Sequence, residues 1–203
     1  MTGCDLLRYA RVHRATAIIT GTVVVALLSA FFGNTRIALP SIGSASLSSG
    51  VPYRQELPLL SAVFITAAFG GSMSAHEASG TPAFHRLRRA YLVALTTLAC
   101  VLSFGTESLT AGPEQGVVFV RSLLIWLGLA LLSVRLFGEQ LGWLIPLASA
   151  FALIWYPLHW WDWTANPASD VASWSTAALS LAWGAAATAA TPWRRRTLFR
   201  SRS

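Results

Sequence analysis

The sequence predicts an all-α membrane protein: one domain of six transmembrane helices, both termini cytoplasmic, led by a short amphipathic helix. Three observations carry this. Of 203 residues, 54% are hydrophobic and only 11% charged, against about 25% charged in a soluble domain. Six apolar runs, several near the length that crosses a bilayer (about 20 residues), divide the chain. The basic residues, all 15 of them arginine, gather at the ends of those runs rather than on one soluble face. The net charge of +7 therefore marks membrane orientation and not a nucleic-acid partner.

In residues 5–14, Arg8, Arg11 and Arg14 recur every third position, while Leu6, Leu7 and Ala10 fall mostly elsewhere around the wheel. That pattern predicts a helix lying in the headgroup layer with its arginines toward anionic lipid. Span one covers about 15–33 and is too long for the apolar core of a cleavable leader. A loop over 34–56, rich in Ser, Gly and Pro, reads as solvent-exposed rather than as a folded domain. Span two, about 57–74, opens on Leu57-Pro58, and proline is tolerated in a first helical turn. Its far end, Gly70, Gly71, Ser72 and Ser74, is small enough for close helix packing.

A polar, basic connection over 75–89 leads to span three, about 90–106. Loop 107–116 contains Glu107, Gly112, Pro113 and Glu114 and no basic residue. Span four covers about 117–134 and a tight turn at 135–140 follows. Span five is about 141–157, the Trp-rich segment 158–173 comes next, and span six is about 174–192. The tail 193–203 carries five arginines.

Six crossings place both ends on one side, and the excess of arginine chooses the side. With the termini inside, Arg8, Arg11, Arg14, Arg86, Arg88, Arg89, Arg135 and the five of the tail are cytoplasmic, 12 of 15. Arg36 and Arg54 fall outside, with Glu56, Glu107, Glu114, Asp162 and Asp170. Cys4 is then cytoplasmic and Cys100 lies within the bilayer, which separates the two thiols.

Motifs of soluble enzymes are missing. No GxxxxGK[ST], GxSxG or GxGxxG occurs, so this chain is expected neither to hydrolyse nucleotide nor to hold a cofactor. His76-Glu77 begins like a zinc-binding HExxH, but Gly80 stands where the second imidazole belongs, so no metal is expected. His159 and Asp162 are three residues apart among Trp160, Trp161 and Trp163. They read either as an acid–base pair at the outer surface or, more simply, as part of an aromatic belt in the headgroup layer. Arg121 is the one charge clearly inside an apolar run. It stands four residues past Val117, about 6 Å deep, where its side chain is expected to snorkel outward or to pair with Glu107 or Glu114.

This layout resembles the membrane subunits of ATP-binding-cassette exporters of the type-two class. The resemblance rests on the N-terminal amphipathic segment 5–14, the six spans, and the basic connection between spans two and three. It implies that 75–89, through His76, Glu77, Pro82, Arg86, Arg88 and Arg89, is the coupling loop that seats in a cleft of a separate ATPase subunit. It also implies that the outer segment at His159, Trp160, Trp161, Asp162 and Trp163 forms short re-entrant helices. A second permease copy or a paralogue, in contact with bacterial plasma-membrane lipid, would complete the pathway. The spans expected to line that pathway (one, two and five) supply no charge, so the cargo is expected to be apolar or amphipathic. Three other readings fit the same layout: a vitamin-binding subunit of an energy-coupling-factor importer, an accessory or immunity membrane protein, and an intramembrane enzyme.

Overall fold

The computed structural model describes residues 10, 15–39, 49–67, 82–155 and 161–189. Within them lie six helices, one over each apolar run: α1 (Ala15–Phe32), α2 (Tyr53–Ala67), α3 (Pro82–Ala111), α4 (Pro113–Phe137), α5 (Leu144–Trp155) and α6 (Val171–Ala189). Three of these, α1, α3 from His85 onward and α4, are long and apolar enough to cross a membrane. The amphipathic segment 5–14 lies outside the described residues apart from Ala10, which is helical.

Within loop 34–56 the structure adds a short ribbon. Strands β1 (Arg36–Leu39) and β2 (Ser49–Pro52) pair antiparallel, with Arg36 opposite Pro52 and Leu39 opposite Ser49. The pairing continues to the helix ends, where the Tyr53 N–H donates to the Thr35 carbonyl (3.1 Å) and the Arg54 N–H to that of Gly33 (3.2 Å). The ribbon thus pairs backbone groups across the connection and brings the start of α2 against the end of α1.

Two of the helices, α3 and α4, also run further than their apolar runs at both ends. α3 continues through Glu107 to Ala111 and stops where Gly112 takes φ of 97°, a left-handed value that favours glycine. Pro113 then opens α4 at a first-turn position where its missing N–H costs nothing. α4 ends at Gly138 (φ 93°), whose N–H returns to the Val134 carbonyl at 2.9 Å, closing the last turn as a glycine after a helix commonly does.

α4 is the centre of the bundle. It is apolar nearly all round, which marks a helix enclosed by others. Leu123, Ile125, Trp126, Leu127, Ala130 and Leu131 are essentially inaccessible, packed by α2, α3 and α6. The contact with α6 is the closest. A Cβ on Gly128 would strike the backbone of Ser180, and one on Gly184 would lie 2.5 Å from the Gly128 carbonyl oxygen. Small residues let two backbones touch in this way.

The distribution of polarity is inverted relative to a soluble domain. Phe31, Val93, Val101, Leu109, Leu179 and Trp183 lie among the most exposed hydrophobics, while Thr22, Ser29, Ser61, Ser103, Glu107, Arg121 and Ser122 are buried. An apolar exterior on this scale suits lipid and not water.

Chain direction alternates between the two ends of the bundle. Ser29 near the end of α1, Glu107 near the end of α3 and Arg54 in the first turn of α2 meet at one end. At the other, Arg88 in the second turn of α3 lies 3.9 Å from Glu139, just past α4.

Candidate functional site

The polar groups of the described residues concentrate at the end where Arg54 meets Glu107. Nε of Arg54 is 2.5 Å from Oε2 of Glu107, and the two side chains are 12% and 1% exposed. The Ser29 hydroxyl donates to Oε1 of the same carboxylate, and Nη1 of Arg54 donates to Oδ1 of Asn34 at 2.7 Å. Four segments, the end of α1, the start of α2, the end of α3 and the turn before β1, are thereby tied at one point. A carboxylate removed from water costs several kcal/mol unless it is paired and hydrogen-bonded, and Glu107 is both.

Arg121 does not snorkel, and it pairs with neither Glu107 nor Glu114. It is fully buried, and its guanidinium turns toward the connection between α5 and α6. Nη1 donates to the Pro167 carbonyl (2.6 Å), and Nη2 to those of Trp163 (2.8 Å) and Asn166 (2.7 Å). The Pro167 carbonyl also accepts from the Asp170 N–H at 3.0 Å, but the Trp163 and Asn166 carbonyls of this irregular segment have Arg121 as their donor, and a planar guanidinium supplies several N–H groups at once.

The same segment accounts for Asp162, which is 5% exposed. Its carboxylate accepts from the Thr164 hydroxyl (2.7 Å) and the Ala165 N–H (3.3 Å), and its carbonyl accepts from the N–H groups of Ala165 and Asn166. These bonds make a turn built on an Asp side chain. Residues 161–170 are accordingly a succession of turns, and the re-entrant helix expected here is not formed in that part. Further along, Asp170 accepts from the hydroxyl and N–H of Ser173 and from the Asn166 amide. Those donors, the Ser173 hydroxyl first, hold its carboxyl below the ordinary range.

The aromatic cluster divides. Trp161 is exposed, whereas Trp163 turns inward onto Trp126, centroids 5.4 Å apart and rings at 68°, an edge-to-face contact. A belt with every indole at the surface is therefore not the arrangement. His159 and Trp160 lie outside the described residues, as do His76 and Glu77 of the basic connection. Of the remaining positions there, Pro82 begins α3, Arg86 and Arg89 are exposed, and Arg88 is half-buried near Glu139.

Between the ribbon, α2, α3, α4 and the turns at 161–170 lies a cavity of about 420 Å³, within the range that holds a small ligand. Asn34, Arg54, Gln55, Gln115, Ser122 and Thr164 give its polar lining; Pro52, Ala111, Val118 and Phe119 give its apolar lining. None of the ten stood out in the sequence. The signal was present in part: Arg54 and Glu107 are opposite charges at span ends assigned to the same side. Arg121 orders the cavity wall indirectly, because the turns that it holds include Thr164.

Nearby, Glu56 in the first turn of α2 has a partly buried side chain. Burial first, and the negative charge of Asp162 second, push its carboxyl up to about 7. Among the described residues no cluster of His, Cys, Asp and Glu is arranged to hold a metal. Comparisons with protein-family models, characterised proteins and solved structures return no match to this chain.

Proposed function

We propose that the chain is the six-crossing permease subunit of an ATP-driven exporter in a bacterial plasma membrane, moving an apolar or amphipathic substrate with the help of a separate ATPase. Both termini and the α2–α3 connection face the cytoplasm in this reading, and the cavity beside Arg54 and Glu107 faces outward. The alternating helix directions and the placement of arginines support that orientation.

One observation carries the coupling role. α3 has 30 residues, about 45 Å of helix at 1.5 Å per residue, whereas the hydrocarbon layer is about 30 Å thick. Roughly 15 Å must therefore stand clear of it. The N-terminal turns, with exposed Arg86 and Arg89, are the polar part that favours water. A rigid basic helix end, continuous with a helix packed against α4, is suited to receive force from a soluble partner and pass it to the bundle. ATP closure of the partner would push on this end and shift α3 against α1 and α2, whose far ends meet at the Arg54–Glu107 pair. A second permease copy would supply the other wall of the pathway.

The test is affinity purification of the tagged chain from its own host's membranes in mild detergent, followed by ATP-hydrolysis assay and identification of bound subunits. An ATP-binding-cassette ATPase is expected in the wild-type sample and lost from the R86E/R89E variant, with membrane insertion unchanged. No ATPase, or equal recovery from both, overturns the proposal.

The cavity favours a second reading, the binding subunit of an energy-coupling-factor importer. Retention of a tightly bound vitamin through purification would select it.

A further inference from the structure

We propose that the cavity between the ribbon, α2, α3, α4 and the turns at 161–170 binds the uncharged, hydroxyl-rich head of an amphipathic molecule. The inference rests on the exporter reading only in naming that molecule as cargo; the site itself stands on its own geometry.

Charge decides first. Among the described residues Arg54 is the one ionic group in the lining, and Glu107 already neutralises it at 2.5 Å. An anion would have to compete with a fixed carboxylate, and a cation would face the guanidinium. Either would leave a buried charge without its partner. A neutral group disturbs neither.

Hydrogen-bonding capacity decides next. Guanidinium has five N–H donors. Nε lies in ion-pair contact with Glu107 and one Nη1 hydrogen goes to Asn34, which leaves the other three Nη hydrogens with no protein acceptor among the described residues. Around them stand the amides of Asn34, Gln55 and Gln115 and the Ser122 hydroxyl. Amides donate and accept, as hydroxyls do, so a surface of this kind matches a group carrying several hydroxyls better than one carrying a single acceptor. Beside them, Val118 and Phe119 provide an apolar wall for the C–H face of the head or the start of its chain. The volume, about 420 Å³, admits a head group and little more, so the tail would lie outside against lipid. The wall is built rather than incidental, since Arg121 holds the turns bearing Thr164 through three carbonyls.

The probe is octyl glucoside, measured by equilibrium binding to the purified full chain in phosphatidylcholine nanodiscs, below its micellar concentration and with empty discs subtracted. Saturable binding is expected. Octanoate and octyltrimethylammonium, with the same chain and charged heads, should fail to displace it, and free glucose should displace it only at far higher concentration. Gln115→Ala and Asn34→Ala remove exposed lining side chains outside the helix core and should each weaken binding about tenfold, the equivalent of one well-made hydrogen bond. Ala111→Trp should abolish it by filling the space. Helical content and melting temperature on the same discs separate loss of the site from loss of the fold.

Equal displacement by octanoate, or binding untouched by Gln115→Ala and Ala111→Trp, overturns the inference. Equal potency of glucose overturns the amphipathic part. No ATPase takes part, so binding without a co-purifying ATPase would sink the exporter reading alone, and an ATPase partner without binding would sink this one alone.

Discussion

Arg54 and Glu107 meet as a nearly inaccessible ion pair, Nε to Oε2 2.5 Å apart, with Ser29 bound to the other carboxylate oxygen. The pair joins the starts and ends of three helices, so its loss should loosen one whole end of the bundle. Glu107→Ala leaves the Arg54 guanidinium, 12% exposed, without its counter-charge. The expected cost is about 3 kcal/mol, as for other broken buried pairs. Replacing both residues with apolar ones of similar volume, Arg54→Met with Glu107→Leu, should recover most of it, because no charge then needs solvating. Thermal unfolding of the single and double variants in detergent checks both numbers; a double variant as unstable as the single would mean that packing, not charge, is at issue.

Arg121 gives a second, more local prediction. Lysine keeps the charge but lacks the planar fork, so Arg121→Lys cannot reach the carbonyls of Trp163, Asn166 and Pro167 together. Faster amide exchange is expected across 161–170, with the centre of α4 still protected. Uniform loss of protection would show that Arg121 supports the core rather than the turns.

These two residues also show where the sequence could be read and where it could not. Six apolar runs correspond to six helices because burial or lipid exposure of a helix face is written in residue type and spacing. The place of Arg121 is not legible in residue type because its partners are backbone carbonyls, which every residue has and no sequence displays. Glu107 reads as a loop residue because a carboxylate ends an apolar run; the distant Arg54 makes it tolerable inside a helix. The ribbon was hidden for a related reason, since Ser, Gly and Pro mark a turn without saying which flanking backbone pairs across it. The cavity followed from all three and was legible only once they were in place.

Close contact between α4 and α6 depends on two glycines. Gly128→Ala and Gly184→Ala each place a methyl against backbone that cannot swing aside, so each should destabilise by about 1–3 kcal/mol, the usual cost of overpacking. Gly105 in α3 is the internal control, since nothing lies within 4 Å of its would-be Cβ. Gly105→Ala should be neutral or stabilising by up to about 1 kcal/mol, because alanine favours the helix. Melting temperatures of the three variants in one detergent give the comparison, and equal loss in all three would discount the contact.

Glu56 sets a dependence on pH. Its carboxyl titrates near 7 in the folded chain against 4.5 for the free group, so the folded state holds the proton more tightly. The associated stability is fully present below pH 4.5, declines as pH rises, and is gone above about 7. Its full size is about 3 kcal/mol at most. Glu56→Gln, neutral throughout, should remove this slope while leaving the chain folded. The slope should also shrink in Asp162→Asn, whose lost charge is the second cause of the shift, although that variant will also weaken the turn at Thr164 and Ala165. Unfolding midpoints across pH 4–8 for the wild type and both variants check the sign; a wild type whose stability rises with pH relative to Glu56→Gln would mean that the Glu56 carboxyl is solvated and ionised in the native state.

The orientation itself is open to a direct measurement. If the basic end of α3 lies in the cytoplasm, a cysteine at Arg89, exposed in the second turn of α3, should be shielded from an impermeant thiol reagent in intact cells and react once they are opened. A cysteine at Ala165, exposed among the turns at the other end, should react in both. Cys100 is half-buried within α3 and is replaced by serine in the parent, as is Cys4, so that only the introduced thiol reports. The two positions sit at opposite ends of a bundle whose longest helix spans about 45 Å, so no small tilt can bring both to one face. Reaction at 89 with protection at 165 would invert the protein, placing the cavity inside and removing the basis for ATPase docking on α3.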